Sequence, residues 1–321
     1  MLQRLIVHLM PSPVYLHLDR KQDRRPFNEC LSSPGINEID RRVVCWGGFS
    51  MVVATIELMR SALRDPLIDH VVLLSGSCYP IRPVGDLCEH LCSTGESELV
   101  YLPITSVETP HLAESIEHHY FHDWDARWGG RHARRAARQL CRILLARRQG
   151  LPGGLVPHFG SQWCSLSRRC AAEVVDVFDG NPELVTFYRR VLAPDEHFVQ
   201  TVIANSAHAR DRYLGAYRGS ESFGSAALHY IQPTLAHSGP RQGPKPQWFD
   251  SPADLPALRD SGKFFVRKVR DPRIADAIDV ELLSGAWCST AREGRISRQA
   301  EIRPSPAEWT EPAQMEGSLG C

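Results

Sequence analysis

The sequence predicts an α/β domain in which helices flank a central, mostly parallel sheet. Apolar, strand-like segments at residues 14–18 and 69–74 alternate with helix-spaced segments at residues 50–63 and 83–91. Short connections that contain Gly or Pro separate them, and this order of strands and helices is typical of parallel sheets. Ligands of such sheets bind beyond the carboxyl ends of the strands, so the polar residues there are the first candidates for a site.

The first half of the chain places two such candidates. The strand that begins at Val14 ends in Asp19, which it would deliver to the carboxyl edge of the sheet. Ser50 follows the pair Gly47-Gly48 and is predicted to be the N-cap of the helix that extends to Leu63. That helix would direct its N-terminus toward the space above the preceding strand.

The second half continues with helices and one late strand. Helices are predicted from Ser167 to Phe178, from Glu196 to about Ile203 and from Asp254 to Arg259, and a strand is predicted from Lys263 to Val266. Residues 237–246 are a Gly- and Pro-rich loop. Residues 1–284 therefore form the predicted domain, and residues 285–321, which are polar and rich in Pro, Gly, Ser and Glu, are predicted to be a mobile tail.

Composition is that of a globular protein without a global electrostatic bias. The chain has 321 residues and is 43% hydrophobic, which is enough for one large core or two modest ones. Lys plus Arg and Asp plus Glu both number 37, so we expect no nucleic-acid partner. No apolar run reaches the roughly 18 residues of a membrane span, and the N-terminus lacks the order of a signal peptide. The expected location is the cytoplasm, with peripheral contact at the inner membrane face as an addition.

Cysteine usage supports a reducing compartment. Ten cysteines are scattered along the chain without a Cys-x-x-Cys pair. Cys88 and Cys92 have the spacing of a metal-ligand pair, but the same spacing on an apolar helix face is more typical of core packing.

Residues 127–148 are strongly basic. They contain eight arginines among Ala and Leu, spaced so that Leu140, Ile143 and Leu144 would face inward along a helix. The simplest interpretation is a solvated helix face. The functional alternative is a local contact with an anionic acceptor or with a membrane surface.

Six stretches, in one order, resemble a known family. The most informative is Ala193-Pro-Asp-Glu-His-Phe-Val-Gln-Thr201, preceded by Gly160-Ser-Gln-Trp163. Two further stretches are Cys45-Trp-Gly-Gly-Phe-Ser50 and Val72-Leu-Leu-Ser-Gly-Ser-Cys-Tyr-Pro80, and the set is completed by residues 14–21 and 264–268. Together they resemble the core-2/I-branching glycosyltransferases and the related peptide xylosyltransferases over most of residues 2–270. The resemblance implies a GT-A-like nucleotide-sugar transferase fold.

The resemblance gives Glu196 a catalytic role. Without it, Pro194-Asp-Glu is simply a good helix start, with Pro and acidic residues in the first turn. In the family the Glu of this pair is the base that takes the proton from the acceptor hydroxyl during an inverting transfer. Asp195 would then orient or cap, and His197 would contact the acceptor or pack.

Cations are the expected partners of the leaving nucleoside diphosphate. The resemblance implies a lysine in the late strand, Lys268, flanked by Arg267, and a second basic residue upstream, for which Lys245 is the weaker assignment. Because these fixed charges would replace a metal, no metal and no further cofactor are expected. The Asp123-Trp-Asp125 triplet imitates a metal motif, but it does not end an apolar strand.

Further residues would line the donor and acceptor pockets. The resemblance implies that Asp19, Gly48 and Ser50 lie at the nucleotide, with Gly47 beside them, and it assigns Cys78 and Tyr79 to the sugar. Many relatives carry Asp where this chain has Cys78, so sugar identity does not transfer. Gly160, Ser161 and Trp163 match the segment that lines the acceptor side, while a packed indole in a strand is the structural alternative.

The resemblance therefore implies an inverting, metal-independent transferase that moves N-acetylglucosamine or xylose from a UDP-sugar. The acceptor would be a hydroxyl of a glycan, of a lipid-linked molecule or of a peptide. The alternative is a non-catalytic nucleotide- or glycan-binding protein, although such a protein has no need of a base aligned with a diphosphate clamp. Relatives open with an additional strand before the stretch that here begins at Leu2, and we expect the native start to lie upstream of Met1.

Overall fold

The computed structural model describes residues 1–105, 109–123, 135–136, 139–141, 144–145, 148, 150–210, 227–231, 248–249 and 251–284. Lys245, Asp125 and residues 285–321 lie outside this part of the chain, so the predictions made for them stay predictions.

Helices and strands follow each other along the described residues. The helices are α1 (Leu2–Leu9), α2 (Asn28–Leu31), α3 (Ser50–Leu63), α4 (Val84–Thr94), α5 (Pro110–Glu117), α6 (Arg168–Gly180), α7 (Pro182–Tyr188), α8 (Phe198–Ala204), α9 (Leu255–Asp260) and α10 (Pro272–Ile278). The strands are β1 (Val14–Leu16), β2 (Ile36–Glu38), β3 (His70–Val72), β4 (Cys78–Pro80), β5 (Tyr101–Pro103), β6 (His158–Gly160), β7 (Ser165–Ser167), β8 (His229–Ile231) and β9 (Phe265–Arg267). Short 3-10 turns and a final π-helical turn, Asp279–Leu283, complete the set.

Strand pairing is mixed. β1 pairs with β2 in parallel, and β9 lies between β8, in parallel, and β4, in antiparallel. The pairs β3 with β7 and β5 with β6 are antiparallel. The described strands therefore form small sheets among helices, in agreement with the α/β class, and a single central parallel sheet is not seen among them.

Two hydrophobic clusters provide most of the core. The larger contains buried residues of α3, α6, α7 and α8, in which the rings of Phe49, Phe178 and Phe198 pack together with centroids 5.9–6.2 Å apart. The second contains Tyr79 and Val266 from the sheet β4-β9-β8 together with α9 and α10. The segment that holds Glu196 adjoins the first cluster, while the strand that leads to Lys268 belongs to the second.

Most predicted element positions are close to those observed, but one cap is wrong. Helix α3 has the predicted bounds, and the hydroxyl of Ser167 accepts a hydrogen bond from the backbone N–H of Cys170, as expected of an N-cap. Ser50, in contrast, is the first residue of α3, and Phe49 stands at the N-cap without a side-chain hydrogen bond. The carboxylate of Asp123 replaces it by accepting from the Ser50 backbone N–H at 3.0 Å. A contact across 73 residues is not visible in local sequence.

Candidate active site

The backbone of the segment before Glu196 is strained, and a hydrogen bond to the Gly47-Gly48 turn holds it in place. Ala193 adopts a left-handed conformation with φ 50° and ψ 53°, which is uncommon outside glycine, and Pro194–Glu196 follow as one 3-10 turn. The Ala193 N–H donates to the carbonyl of Gly47 at 3.1 Å. The tertiary structure thus joins the Gly47-Gly48 turn to the Asp195-Glu196 pair, as a common pocket requires.

Burial makes both carboxyl groups weak acids. Desolvation raises the pKa of Asp195 to about 6. Desolvation, and then the neighbouring charge of Asp195, raise the pKa of Glu196 to about 8. Within the described part of the chain, no hydrogen bond or ion pair reaches the Glu196 carboxylate. Glu196 is therefore a carboxyl group held ready to exchange a proton near neutral pH, as a general base must be.

These raised pKa values predict a loss of stability at alkaline pH. The pKa of Glu196 is 4.5 in the reference state and about 8 in the folded protein. The stability that its bound proton contributes is therefore fully present below pH 4.5 and is lost as the pH rises through 8. Glu196→Gln removes this dependence because glutamine does not titrate. We expect the variant to exceed the native protein in unfolding free energy by on the order of 2 kcal/mol at about pH 9, with little difference at about pH 5, in urea denaturation. Parallel pH curves for the two proteins would contradict the assignment.

His197 is a structural residue in this geometry. Its side chain is 1% exposed, and burial lowers its pKa to about 4, so the ring is neutral. Nδ1 lies 3.3 Å from the carbonyl oxygen of His158 in β6, and Nε2 lies 3.3 Å from the hydroxyl of Ser115. The structure therefore places His197 in packing, one of its two predicted roles, and not at an acceptor pocket.

The loop after β6 connects the two sides of the site. Gln200, on the helix that follows Glu196, donates from Nε2 to the carbonyl of Ser161 at 2.8 Å. The Ser161 hydroxyl accepts from the backbone N–H of Trp163 at 3.2 Å. The guanidinium of Arg267 lies 4.2 Å from the centre of the Trp163 ring. Residues 160–163 thus form a continuous path of contacts from α8, the helix that follows Glu196, to β9, the strand that ends at Arg267.

Gly160 has no room for a side chain, which makes this loop sensitive to substitution. A Cβ atom there would overlap the carbonyl oxygen of Val100 and would lie 2.7 Å from Cγ of Gln200. We expect Gly160→Ala to lower the unfolding free energy by about 2 kcal/mol or more, because a backbone atom cannot move aside cheaply. The matched control is Gly180→Ala, where no heavy atom lies within 4 Å of the added Cβ. Equal urea midpoints for the two variants would contradict the tight packing of this loop.

The cationic side of the site contains Arg267 and Lys268. Arg267 Nη1 donates to the hydroxyls of Ser75 and Ser77, the latter at 2.8 Å, and desolvation lowers the pKa of its guanidinium. Lys268 Nζ lies 5.6 Å from the centre of the Trp248 ring, and burial, followed by the charge of Arg267, lowers its pKa. Burial disfavours the charged forms of these two adjacent side chains, and a bound anion would stabilise those forms. The pair is therefore typical of an anion-binding site.

Cys78 lies beside Arg267, the first of these cations. It pairs with Arg267 across the β4-β9 ladder, and its Sγ is 3.6 Å from Nε2 of His229 on β8. His229 is fully buried, and desolvation lowers its pKa to about 3. Trp163 is the next aromatic neighbour, with its ring 6.0 Å from that of His229. The structure therefore brings together Cys78, Trp163 and Arg267, three residues to which the resemblance gives separate roles.

Four predicted residues lie differently. Tyr79 follows Cys78 in β4, so its side chain points to the opposite face of the sheet. It is 0% exposed, and its hydroxyl donates to Asp279 at 2.8 Å. Tyr79 therefore belongs to the core and not to a sugar pocket. Asp19 accepts a hydrogen bond from the backbone N–H of Lys21, and no described contact joins it to Glu196 or Arg267. Gly48 and Ser50 adjoin the Glu196 segment, but Asp123 covers them.

Sequence reasoning assigned no role to three residues of this region. Trp46 is 81% exposed beside the Gly47-Gly48 turn, which is unusual for an indole. Gln200 supports the loop at Ser161, and His229 contacts Cys78. Trp46 could have been noticed because it stands within a quoted motif, whereas the contacts of Gln200 and His229 form only in three dimensions.

A metal centre has no support in the described residues. Among them, no group of three or more His, Cys, Asp or Glu side chains is arranged to hold an ion. Asp123, the described member of the Asp123-Trp-Asp125 triplet, binds the start of α3 through both carboxylate oxygens.

No described helix is long and apolar enough to cross a membrane.

Comparison with known families gives one match. A family model described as Core-2/I-Branching enzyme matches residues 13–218, almost two thirds of the chain. The matched range includes Gly160, Trp163 and Glu196 and ends before Arg267 and Lys268. No curated protein matches the chain.

Proposed function

The chain belongs to the core-2/I-branching enzyme family, whose members are glycosyltransferases, and we propose that it is an inverting, metal-independent transferase that uses a UDP-sugar. The proposal includes the GT-A-like arrangement with a central parallel sheet that the sequence resemblance implies. It also includes a cytoplasmic location, which the scattered cysteines without a Cys-x-x-Cys pair support.

One observation carries the proposal: the loop at residues 160–163 links the helix that follows Glu196, whose pKa is near neutrality, to the strand that leads into the cations Arg267 and Lys268. The loop contacts α8, the helix that follows Glu196, through Gln200, and it contacts strand β9 through Trp163 and Arg267. Transfer from a nucleotide-sugar requires both components, a base for the acceptor hydroxyl and positive charge for the leaving diphosphate. A simple nucleotide-binding surface requires only the second.

The proposed chemistry is a single displacement. Glu196 accepts the proton of the acceptor hydroxyl as that oxygen bonds to the anomeric carbon of the sugar. The bond from the anomeric carbon to the diphosphate oxygen breaks on the opposite face, and its electron pair leaves with UDP. Arg267 and Lys268, together with Lys245, stabilise the negative charge that develops there. The configuration at the anomeric carbon inverts because the two bonds lie on opposite faces.

The sugar is proposed to be N-acetylglucosamine or xylose. Cys78, which the resemblance assigns to the sugar, lies beside Arg267 and contacts His229, and both of these side chains are buried. The acceptor is a hydroxyl of a glycan, a lipid-linked molecule or a peptide. The exposed Trp46, next to the Glu196 segment, supports a sugar-containing acceptor because indole rings stack on apolar sugar faces.

The test is UDP-sugar turnover in EDTA across a donor panel, with UDP release and product mass as readouts. Metal-free transfer from one donor is expected. Turnover that requires an added divalent ion would overturn metal independence and leave the transferase assignment intact. UDP binding without turnover for any donor and acceptor would favour the non-catalytic alternative.

A further inference from the structure

A buried polar cluster lies next to the guanidinium of Arg267. It consists of Ser75, Ser77, Cys78 and His229, of which Cys78 is 1% exposed and His229 is 0% exposed. Nη1 of Arg267 donates to the hydroxyls of both serines. Sγ of Cys78 lies 3.3 Å from the Ser75 hydroxyl oxygen and 3.6 Å from Nε2 of His229. Polar contacts therefore run without interruption from His229 to the guanidinium.

The sheet β4-β9-β8 brings these residues together. Arg267 on β9 pairs with Cys78 on β4, and His229 on β8 pairs with Phe265, two residues before Arg267 on β9. Paired residues, and alternate residues of one strand, share a face of the sheet, so the three polar side chains lie on one face. The imidazole of His229 stacks on the ring of Phe265, with centroids 5.4 Å apart, and reaches past β9 to Cys78. This contact joins the two outer strands of the sheet across the strand that carries the cation.

His229 is a neutral member of this cluster. Desolvation, and then the charges of Arg267 and Lys263, lower its pKa to about 3, so the ring is uncharged near neutral pH. Nδ1 is buried, and no described atom forms a hydrogen bond with it. Within the described part of the chain, the polar contact of the ring is therefore the one between Nε2 and the thiol of Cys78. A neutral imidazole does not compete with Arg267 for an anion, but it offers a hydrogen bond to a neighbouring group.

The orientation of the guanidinium depends on this cluster. A guanidinium presents its N–H donors in a rigid, planar fork, so its contact with a diphosphate depends on how the fork is turned. The hydroxyls of Ser75 and Ser77 hold Nη1 of Arg267. The Ser75 hydroxyl in turn lies beside Sγ of Cys78, which also accepts from the Ser75 backbone N–H at 3.3 Å. Loss of the contact between His229 and Cys78 would leave the thiol, then the Ser75 hydroxyl and then the guanidinium free to turn.

We propose that His229 is a positioning residue of the donor site, which holds the Arg267 guanidinium, through the thiol of Cys78, in the orientation that binds the diphosphate of a nucleotide-sugar. This role rests on the proposed function, in which Arg267 stabilises the leaving diphosphate. It also gives Cys78 a role that is the same for every donor, since its contact with the arginine through Ser75 does not involve the sugar.

The test compares the native protein with His229→Met and His229→Gln by calorimetry with UDP and with inorganic pyrophosphate. Methionine fills a similar volume without an N–H group, whereas the side-chain amide of glutamine reaches the position of Nε2. We expect His229→Met to weaken both ligands about three- to tenfold, because one positioning hydrogen bond is lost. His229→Gln should restore both affinities to within about twofold of the native value. Pyrophosphate has neither base nor sugar, so an equal loss for the two ligands places the effect at the diphosphate.

Removal of the arginine separates positioning from general stability. In an Arg267→Met background, His229→Met should cause no further loss of affinity, because the group that it positions is gone. A merely structural histidine would lower affinity by the same factor in both backgrounds. Cys78→Ala should weaken pyrophosphate binding as much as His229→Met does, and the double variant should be no weaker than either, since both substitutions break one path of contacts. Cys78→Ala also tests this path if His229→Met does not fold.

The matched control is His70→Met, which makes the same substitution in β3, a strand of a different sheet, β3-β7. It should bind both ligands as the native protein does, and thermal melting would confirm that the variants are folded. Native affinity in His229→Met, equal loss in His229→Met and His229→Gln, or further loss in the Arg267→Met background would each overturn the role of His229. Absence of UDP and pyrophosphate binding by the native protein would overturn the donor site of the proposed function itself, and this role with it.

Discussion

Glu196→Gln will reduce the turnover of sugar transfer roughly a hundred- to ten-thousandfold while UDP binding stays within about twofold of the native value. The reason is that glutamine preserves the shape of the side chain but cannot accept the acceptor proton. The carboxylate makes no described contact with the cationic strand, so its loss should leave the diphosphate site unchanged. Turnover would be measured as UDP release at saturating donor, and binding by calorimetry with UDP.

Glu183→Gln is the matched control for this substitution. It makes the same chemical change at an exposed glutamate in the first turn of α7, and it should leave turnover and binding unchanged. The native protein should also show turnover that increases with pH, with an apparent pKa displaced from about 8 by the bound substrate. A Glu196→Gln variant with native turnover would remove Glu196 from the reaction, whatever its effect on stability.

Lys268→Met will weaken UDP binding about ten- to a hundredfold. Methionine keeps most of the aliphatic stem that reaches toward Trp248 and removes only the charge. Because burial and Arg267 lower the pKa of Lys268, a bound diphosphate should stabilise its charged form, and this gain is lost in the variant. The affinity of the native protein should therefore decrease with added salt more steeply than that of the variant.

Arg273→Met is the control for the charge of Lys268. Arg273 is an exposed cation nearby in sequence, paired with Asp271 at 2.7 Å, so its loss should not change UDP affinity. Equal weakening by both variants would indicate a general electrostatic effect and not a diphosphate site. Equal loss of UDP binding in Lys268→Met and Glu196→Gln would refute separate roles for the two residues.

Local sequence predicted those elements whose signals are local. The bounds of α3 follow from the helical spacing of its apolar residues, and α6 begins one residue after Ser167, its predicted start. The turn at Pro194 was predicted as a helix start, and it is followed by α8 two residues later than expected. The cap at Ser50 failed because a distant carboxylate, Asp123, satisfies the same backbone group.

The sequence by itself determined the family, the α/β class and the chemical identity of the candidate site. Motif order identifies the family, because Glu196, Trp163 and Lys268 are read directly as residue types in known contexts. The sequence alone also shows that residues 127–148 carry a large positive charge. These properties belong to composition and order, which folding does not change.

Only the tertiary structure decided which side chains share an environment. It separated Cys78 from its neighbour Tyr79, because alternate residues of a strand point to opposite faces. It placed His197 in the core and left Leu140 and Leu144 in solvent. It also raised the pKa values of Asp195 and Glu196 through burial, in the case of Glu196 to about 8. The burial of a side chain, its pKa and the direction in which it points depend on contacts between residues far apart in the chain. A linear pattern of residues does not specify those contacts.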